Sequence, residues 1–227
     1  MAEEAPTAWQ ADPLPRGRHK LSRDAVRASQ RERLLGAMAE VVSAEGYEAT
    51  TVPKVVAAAR VSTNAFYEQF KDKADCFIAL CEMAGDALFT EMASFATETD
   101  WLTSLDKGMD FYLRWWQQQP ALTRAYMIEL PAAGRRAQDE RERQHERFLE
   151  VVRYLAEWAR RTDPDLPPAS KIALDAAVDA PTDLVGREVR ADRLEQLHEL
   201  KDELTDLLIR LIADDSWVAR HAERAGA

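Results

Sequence analysis

Little in this chain staples, hinges or anchors it. Of its 227 residues only two are cysteine, Cys76 and Cys81, and five positions apart on one helix they point in different directions. That spacing disfavours both a local disulfide and a metal pair, leaving small buried hydrophobes as the plain reading and redox sensing as the other. The four histidines, His19, His145, His198 and His221, stand far apart without ligand spacing, so no metal and no cofactor is expected. Glycines number only eight and no run alternates like a strand, which argues against sheet architecture. No stretch approaches the roughly 18 apolar residues of a membrane span. The opening MAEEAPTAWQADPLP is acidic and proline-rich, unlike a signal peptide, so a cytoplasmic protein without membrane partners is expected. A nucleophile beside a base, paired carboxylates and a phosphate loop are all missing; Glu129 and Glu142 read as charged surface, and an enzyme is not expected.

What is present is helical periodicity. Apolar residues recur at helical spacing in every long segment, and 31% charged content suits solvated helix faces, so the chain reads as all-α. The net charge of −10 is unevenly spread. Residues 1–15 carry three acids and no base, residues 16–75 carry 11 bases against 8 acids, and the remainder carries 19 against 29. A base-rich segment inside an acidic protein marks where an anionic partner would bind. Within it Arg16, Arg18, Lys20, Arg23, Arg27, Arg31 and Arg33 precede or open the first helix, either as an arm that follows phosphates or as a solvated flank.

The most informative stretch is TVPKVVAAARVSTNAFYEQFKDK, residues 51–73. Val52, Val55, Val56 and Ala59 fall at helical spacing after Thr51, whose hydroxyl is placed to cap a helix over 52–59, with Pro53 tolerated in its first turn. Arg60 and Val61 make a turn. Ser62 caps a second helix whose inner face is Ala65, Phe66 and Phe70, leaving Thr63, Asn64, Tyr67, Glu68 and Gln69 outward. Small polar groups, an amide and a phenol at the start of a second short helix suit the reading of base edges in a major groove, as in a helix-turn-helix. Two short amphipathic helices also occur as ordinary core.

Together Gly46, Tyr47, Thr50, Thr51, Val52, Val55, Ala58, Val61, Ser62, Phe66, Tyr67, Phe70 and Lys73 resemble the N-terminal domain of the TetR family of bacterial transcriptional repressors, over roughly residues 31–80. The resemblance implies that Thr51 begins the helix crossing the phosphate backbone, that Thr63, Asn64 and Ala65 open the recognition helix, and that Tyr67 and Lys73 contact phosphates. With Ser62, Gln69, Lys20 and Arg18 these are the expected DNA-binding residues. One departure is Arg60, where the family usually has glycine: either the backbone avoids positive φ or Arg60 accepts strain.

The expected organisation is an N-terminal arm over 1–21, a three-helix DNA-binding domain over 22–72 and a larger helical ligand-binding and dimerisation domain over 73–227. In the latter, helices are expected over 73–96, 102–119, 121–130, 135–161, 169–190 with Pro181 kinking it, and 192–213, and the prolines 164, 167 and 168 mark a mobile loop. The first of these, in the family, is the lever by which ligand binding changes the spacing of the DNA-reading heads. Trp101, Met109, Tyr112, Trp116, Tyr126, Met127, Phe148 and Val152 supply the mixture that lines an apolar ligand cavity, or simply a core. Ile172, Ala176, Ala180 and Leu184, with Leu197, Leu200, Leu204, Leu208 and Leu211, form two stripes suited to antiparallel packing. The family builds its dimer interface from the last two helices; the alternative is that the stripes close the monomer. The function expected is a ligand-responsive repressor that binds a near-palindromic double-stranded operator as a homodimer and is released by a small apolar or aromatic effector. An activator, or a ligand-independent partner protein, is the alternative.

Overall fold

The computed structural model describes residues 22–95 and 98–225, and every regular element among them is helical. They fall into two compact units. One comprises the residues up to Ala87 with Gln118–Arg141, and the other Leu88–Gln117 with the residues from Glu142 onward. None of the described helices is long and apolar enough to cross a membrane. Arg18 and Lys20 lie outside the described residues.

The first unit begins with α1, Arg23–Glu45, capped by the Ser22 hydroxyl, which accepts from the Ala25 N–H at 3.1 Å. Leu34, Leu35, Met38, Ala39 and Val42 of α1 are buried against α2, Val52–Ala59, and the short α3, Thr63–Tyr67. Helix α4, Lys73–Ser94, follows. Its start is held by a reciprocal cap: Asp72 accepts from the Asp75 N–H at 2.7 Å, while Asp75 accepts from the Lys71 N–H at 3.0 Å. Cys76 and Cys81 on this helix are fully buried, and burial pushes the Cys76 thiol up to about 12 and that of Cys81 well above its usual range, so neither forms a thiolate at neutral pH.

The same unit receives α6, Pro120–Arg124, which lies against α1 and continues as a π-helical turn, Ala125–Glu129, and a 3₁₀ turn, Leu130–Ala132. Proline 120 starts a helix here and does not merely end the one before, because its missing N–H costs nothing in a first turn. The expected single helix over 121–130 is instead three tight turns of different pitch.

The second unit contains α5, Trp101–Gln117, most of α7, Arg135–Thr162, then α8, Lys171–Arg190, a 3₁₀ turn, Leu194–Leu200, and α9, Lys201–Ala225. Asp100 opens α5 by accepting from the Thr103 N–H at 2.8 Å, and Ser170 opens α8 by accepting from Ala173 at 3.1 Å. The core is aromatic: Phe111 lies between Phe95 and Trp115 at 5.7 and 5.8 Å, and Trp101 packs on Trp217 at 5.5 Å. The proline loop after α7 is tied at both ends of its turn, since Asp163 accepts from the Trp217 indole at 2.7 Å and Leu166 is buried.

Candidate nucleic-acid interface

The first helix of the motif takes the boundaries that its periodicity implies, the second ends at Tyr67, short of the expected inner-face Phe70, and the turn between them is a full Schellman motif. Val61 N–H donates to Val56 and Arg60 N–H to Ala57, at 3.1 and 3.2 Å. The residue in the left-handed position is Arg60, with φ 54° and ψ 44°. Of the two outcomes open to a chain without glycine there, strain is the one adopted. Arg33 answers it: its guanidinium donates to the carbonyls of Ala59 and, at 2.7 Å, of Arg60, neutralising the free C-terminal end of α2.

Ser62 caps α3 as its spacing implies, accepting from the Ala65 N–H at 3.1 Å. Thr51 does not cap α2 through its side chain; it holds the N-cap backbone conformation while its exposed hydroxyl makes no cap hydrogen bond. The hydroxyl is thereby left for another partner. Phe66 and Phe70, packed at 5.5 Å, anchor α3 from below. Above them Ser62, Thr63, Asn64 and Tyr67 are exposed, the phenol with 57% of its surface in solvent.

Three expected contacts need correction. Ala65 is buried, in keeping with its place on the inner face of the helix beside Phe66, and is not open to a base edge. Gln69 follows the end of α3, is only half-exposed, and its Nε2 is buried. Lys73 does not reach outward: its ammonium donates to the carbonyls of Tyr47, Thr50 and Glu48 at 2.8, 3.0 and 3.3 Å and sits 4.3 Å above the Tyr47 ring. With all three donors used, Lys73 braces the turn between α1 and α2.

That turn has a second brace which the sequence did not reveal. Gly46 ends α1 at φ 82°, and a β-carbon there would lie 3.6 Å from the Glu129 carboxylate. Glu129 accepts from the Tyr47 N–H at 2.8 Å, and Tyr47 stacks on Phe77 at 5.0 Å. Arg136, in the first turns of α7, reaches Asp75 at 3.0 Å and Asp72 at 3.5 Å. The Asp75 carboxyl is held below its usual range first by the Lys71 N–H and then by Arg136. Glu129 is thus a half-buried acceptor and not the plain surface charge its composition suggests.

The residues expected to line a ligand cavity divide between the units. Trp101, Met109, Tyr112, Trp116 and Val152 are buried and Phe148 half-buried in the second unit; Tyr126 and Met127 are buried in the first, on the π-helical turn. Tyr112 carries the one phenol of this set in the second unit, 3.4 Å from the Thr182 hydroxyl; burial pushes it up to about 12, against the opposing pull of Thr182 and Trp116. Among the described residues no three His, Cys, Asp or Glu side chains gather as a metal site.

The stripe residues of the last helices also divide. Leu197, Leu204 and Leu208 are buried within the second unit and close its core, so they are not free for a partner subunit. Ala176, Ala180, Leu184, Leu200 and Leu211 are half-exposed, and Ile172 is 80% exposed. The leucine spacing of α9 therefore combines an inner and an outer face.

Residues 34–80 match the model of the bacterial regulatory proteins, tetR family. No curated protein matches the sequence. Solved structures similar to this one include the fatty acid degradation regulator FadR of Bacillus halodurans, at 18% identity over 78% of this chain and 97% of that one, with a TM-score of 0.71. The transcriptional regulator FadR of Bacillus subtilis, solved with stearoyl-CoA, is similar at 17% identity over 78% and 96%, with a TM-score of 0.70. A tetR-family bacterial regulatory protein from Rhodococcus RHA1 shares 21% identity over 81% and 97%, with a TM-score of 0.61.

Proposed function

We infer from the match of residues 34–80 to the model of the bacterial regulatory proteins, tetR family, that this chain is a DNA-binding transcription regulator, a repressor acting as a homodimer and released from its operator by a small apolar or aromatic effector. The observation that carries the DNA reading is the exposed set Ser62, Thr63, Asn64 and Tyr67 on a capped helix whose underside is locked by Phe66 and Phe70. Asn64 has the donor and acceptor that pair with a base edge; Thr63 adds a hydroxyl and a methyl. Thr51, Ser62 and Tyr67 offer hydroxyls to phosphates, which position the helix without reading sequence. Lys73 serves binding by fixing the turn before α2.

For release, the effector must bind two conformations unequally, with a coupling of about 1–3 kcal/mol typical of such systems. The buried aromatic set supports an apolar ligand, and Tyr112 and Trp116 supply polar atoms that would orient it. Stearoyl-CoA, bound in the Bacillus subtilis regulator, is the first compound to test. Gel shifts with DNA from upstream of the chain's own gene are expected to show a salt-sensitive complex that stearoyl-CoA or another apolar ligand dissolves. A complex that no apolar or aromatic ligand weakens would favour the ligand-independent alternative.

A further inference from the structure

The turn that joins α1 to α2 decides where α2 and the Thr51 hydroxyl stand, and its backbone groups can be accounted for one by one. Five successive carbonyls, Gly46 to Thr50, are met by donors from within residues 46–73. The Thr50 hydroxyl donates to Gly46 at 2.8 Å, the Thr50 N–H to Tyr47 at 3.2 Å, Lys54 to Ala49 at 2.9 Å, and Lys73 to Tyr47, Glu48 and Thr50. The Tyr47 N–H differs: its acceptor is Glu129, 2.8 Å away in space and 82 positions on in the chain. The same carboxylate lies against Gly46, 3.6 Å from where its β-carbon would stand.

Glu129 reaches this turn because of how its own segment is wound. Helix α6 and the π-helical turn after it pack along α1, and the Leu130 N–H bonds to the Ala125 carbonyl five residues back. Pro131 accounts for the wide turn: in a continuing α-helix its ring would meet the Met127 carbonyl and offer it no N–H. The wide turn takes up one residue more than an α-helical turn, and each residue rotates a helix by about 100°. In α-helical pitch the Glu129 side chain would be rotated by that amount away from Tyr47. We propose that Glu129 is a positioning residue for DNA binding: its carboxylate, aimed by the π-helical turn, fixes the α1–α2 turn so that Thr51 and the exposed face of α3 meet the duplex together. The proposal rests on the DNA-binding reading above and gives Glu129 no contact with DNA. An acid near a phosphate backbone opposes binding through its charge, so the effects of its reach and of its charge have opposite signs.

The test separates reach from charge in the full chain. Anisotropy of a fluorescein-labelled duplex from upstream of its gene is followed across a sodium chloride series, at a temperature where circular dichroism shows every variant folded. Glu129→Asp keeps the charge but is one methylene shorter and loses the 2.8 Å bond; it is expected to weaken binding about three- to thirty-fold. Glu129→Gln keeps an acceptor at the same reach without the charge and is expected to bind at least as tightly as the wild type. The slope of log affinity against log salt is expected to stay the same in both, since neither removes a phosphate contact. Wild-type affinity in Glu129→Asp, or a loss in Glu129→Gln as large as in Glu129→Asp, would overturn the positioning role alone. Absence of salt-dependent binding by the wild type would overturn the DNA reading together with it.

Discussion

Arg60 shows how one residue's backbone can be set by its neighbours. A non-glycine residue in the left-handed region costs about 1–2 kcal/mol, and here the Schellman bonds and the Arg33 fork hold it there. Arg60→Gly removes that cost but adds freedom to the unfolded chain, so a net gain of about 0.5–1 kcal/mol is expected. Thermal unfolding of the two proteins checks it. Asp100 is the counterpart at a helix start: hydrogen bonds from the Thr103 N–H and hydroxyl hold its carboxyl below the usual range. A lowered folded-state value means that this stabilisation is complete above the unfolded-state value, near pH 4, and is lost as pH falls through the folded one. Asp100→Ala is expected to cost about 1 kcal/mol at neutral pH and to flatten the stability profile on the acid side. Denaturant midpoints measured at pH 7 and pH 3 follow both effects.

At the scale of elements, the turn between α1 and α2 is assembled from four residues in three places in the sequence: Gly46 with Tyr47, Lys73 and Glu129. Removing the carboxylate in Glu129→Ala leaves the Tyr47 N–H without its acceptor, at an expected cost of roughly 1–3 kcal/mol, whereas Glu129→Gln keeps an acceptor and most of the stability. If both variants unfold at the wild-type midpoint, the bond carries no weight. This is also where sequence reading reached its limit. Helix α2, the start of α3 with its cap at Ser62 and the anchors Phe66 and Phe70 follow from local chemistry, because cap and periodicity lie within a few residues of one another. Glu129 lies 82 positions from the N–H it accepts, and nothing local distinguishes it from the acids around it. The same applies to Lys73: its charge was legible, but the three carbonyls that use it are set by how α4 begins beside a turn more than twenty residues earlier.

For the whole molecule, the regulator reading requires two copies, and the partition of the leucines on α9 decides where the second can dock. Leu204 and Leu208 are interior, so Leu204→Glu is expected to unfold the second unit by burying an unpaired charge, not to produce folded monomers. Ile172, exposed, and Ala176, half-exposed on the same face of α8, are the sites where a charge disturbs only association. Ile172→Glu/Ala176→Glu is expected to give a folded monomer by light scattering, with circular dichroism unchanged. A folded dimer from that variant would move the interface elsewhere. Heptad-like spacing alone did not separate these roles, since a helix buried on one side and paired on the other carries apolar residues on both.

The central claim is that the exposed face of α3 reads duplex DNA. The most direct measurement compares affinities for the upstream operator and a scrambled duplex in Asn64→Ala and Tyr67→Phe. Loss of the amide is expected to weaken operator binding by about 1–3 kcal/mol while sparing the scrambled duplex, and loss of the phenol hydroxyl to weaken both alike. Equal losses on the two duplexes for Asn64→Ala, or none, would contradict it.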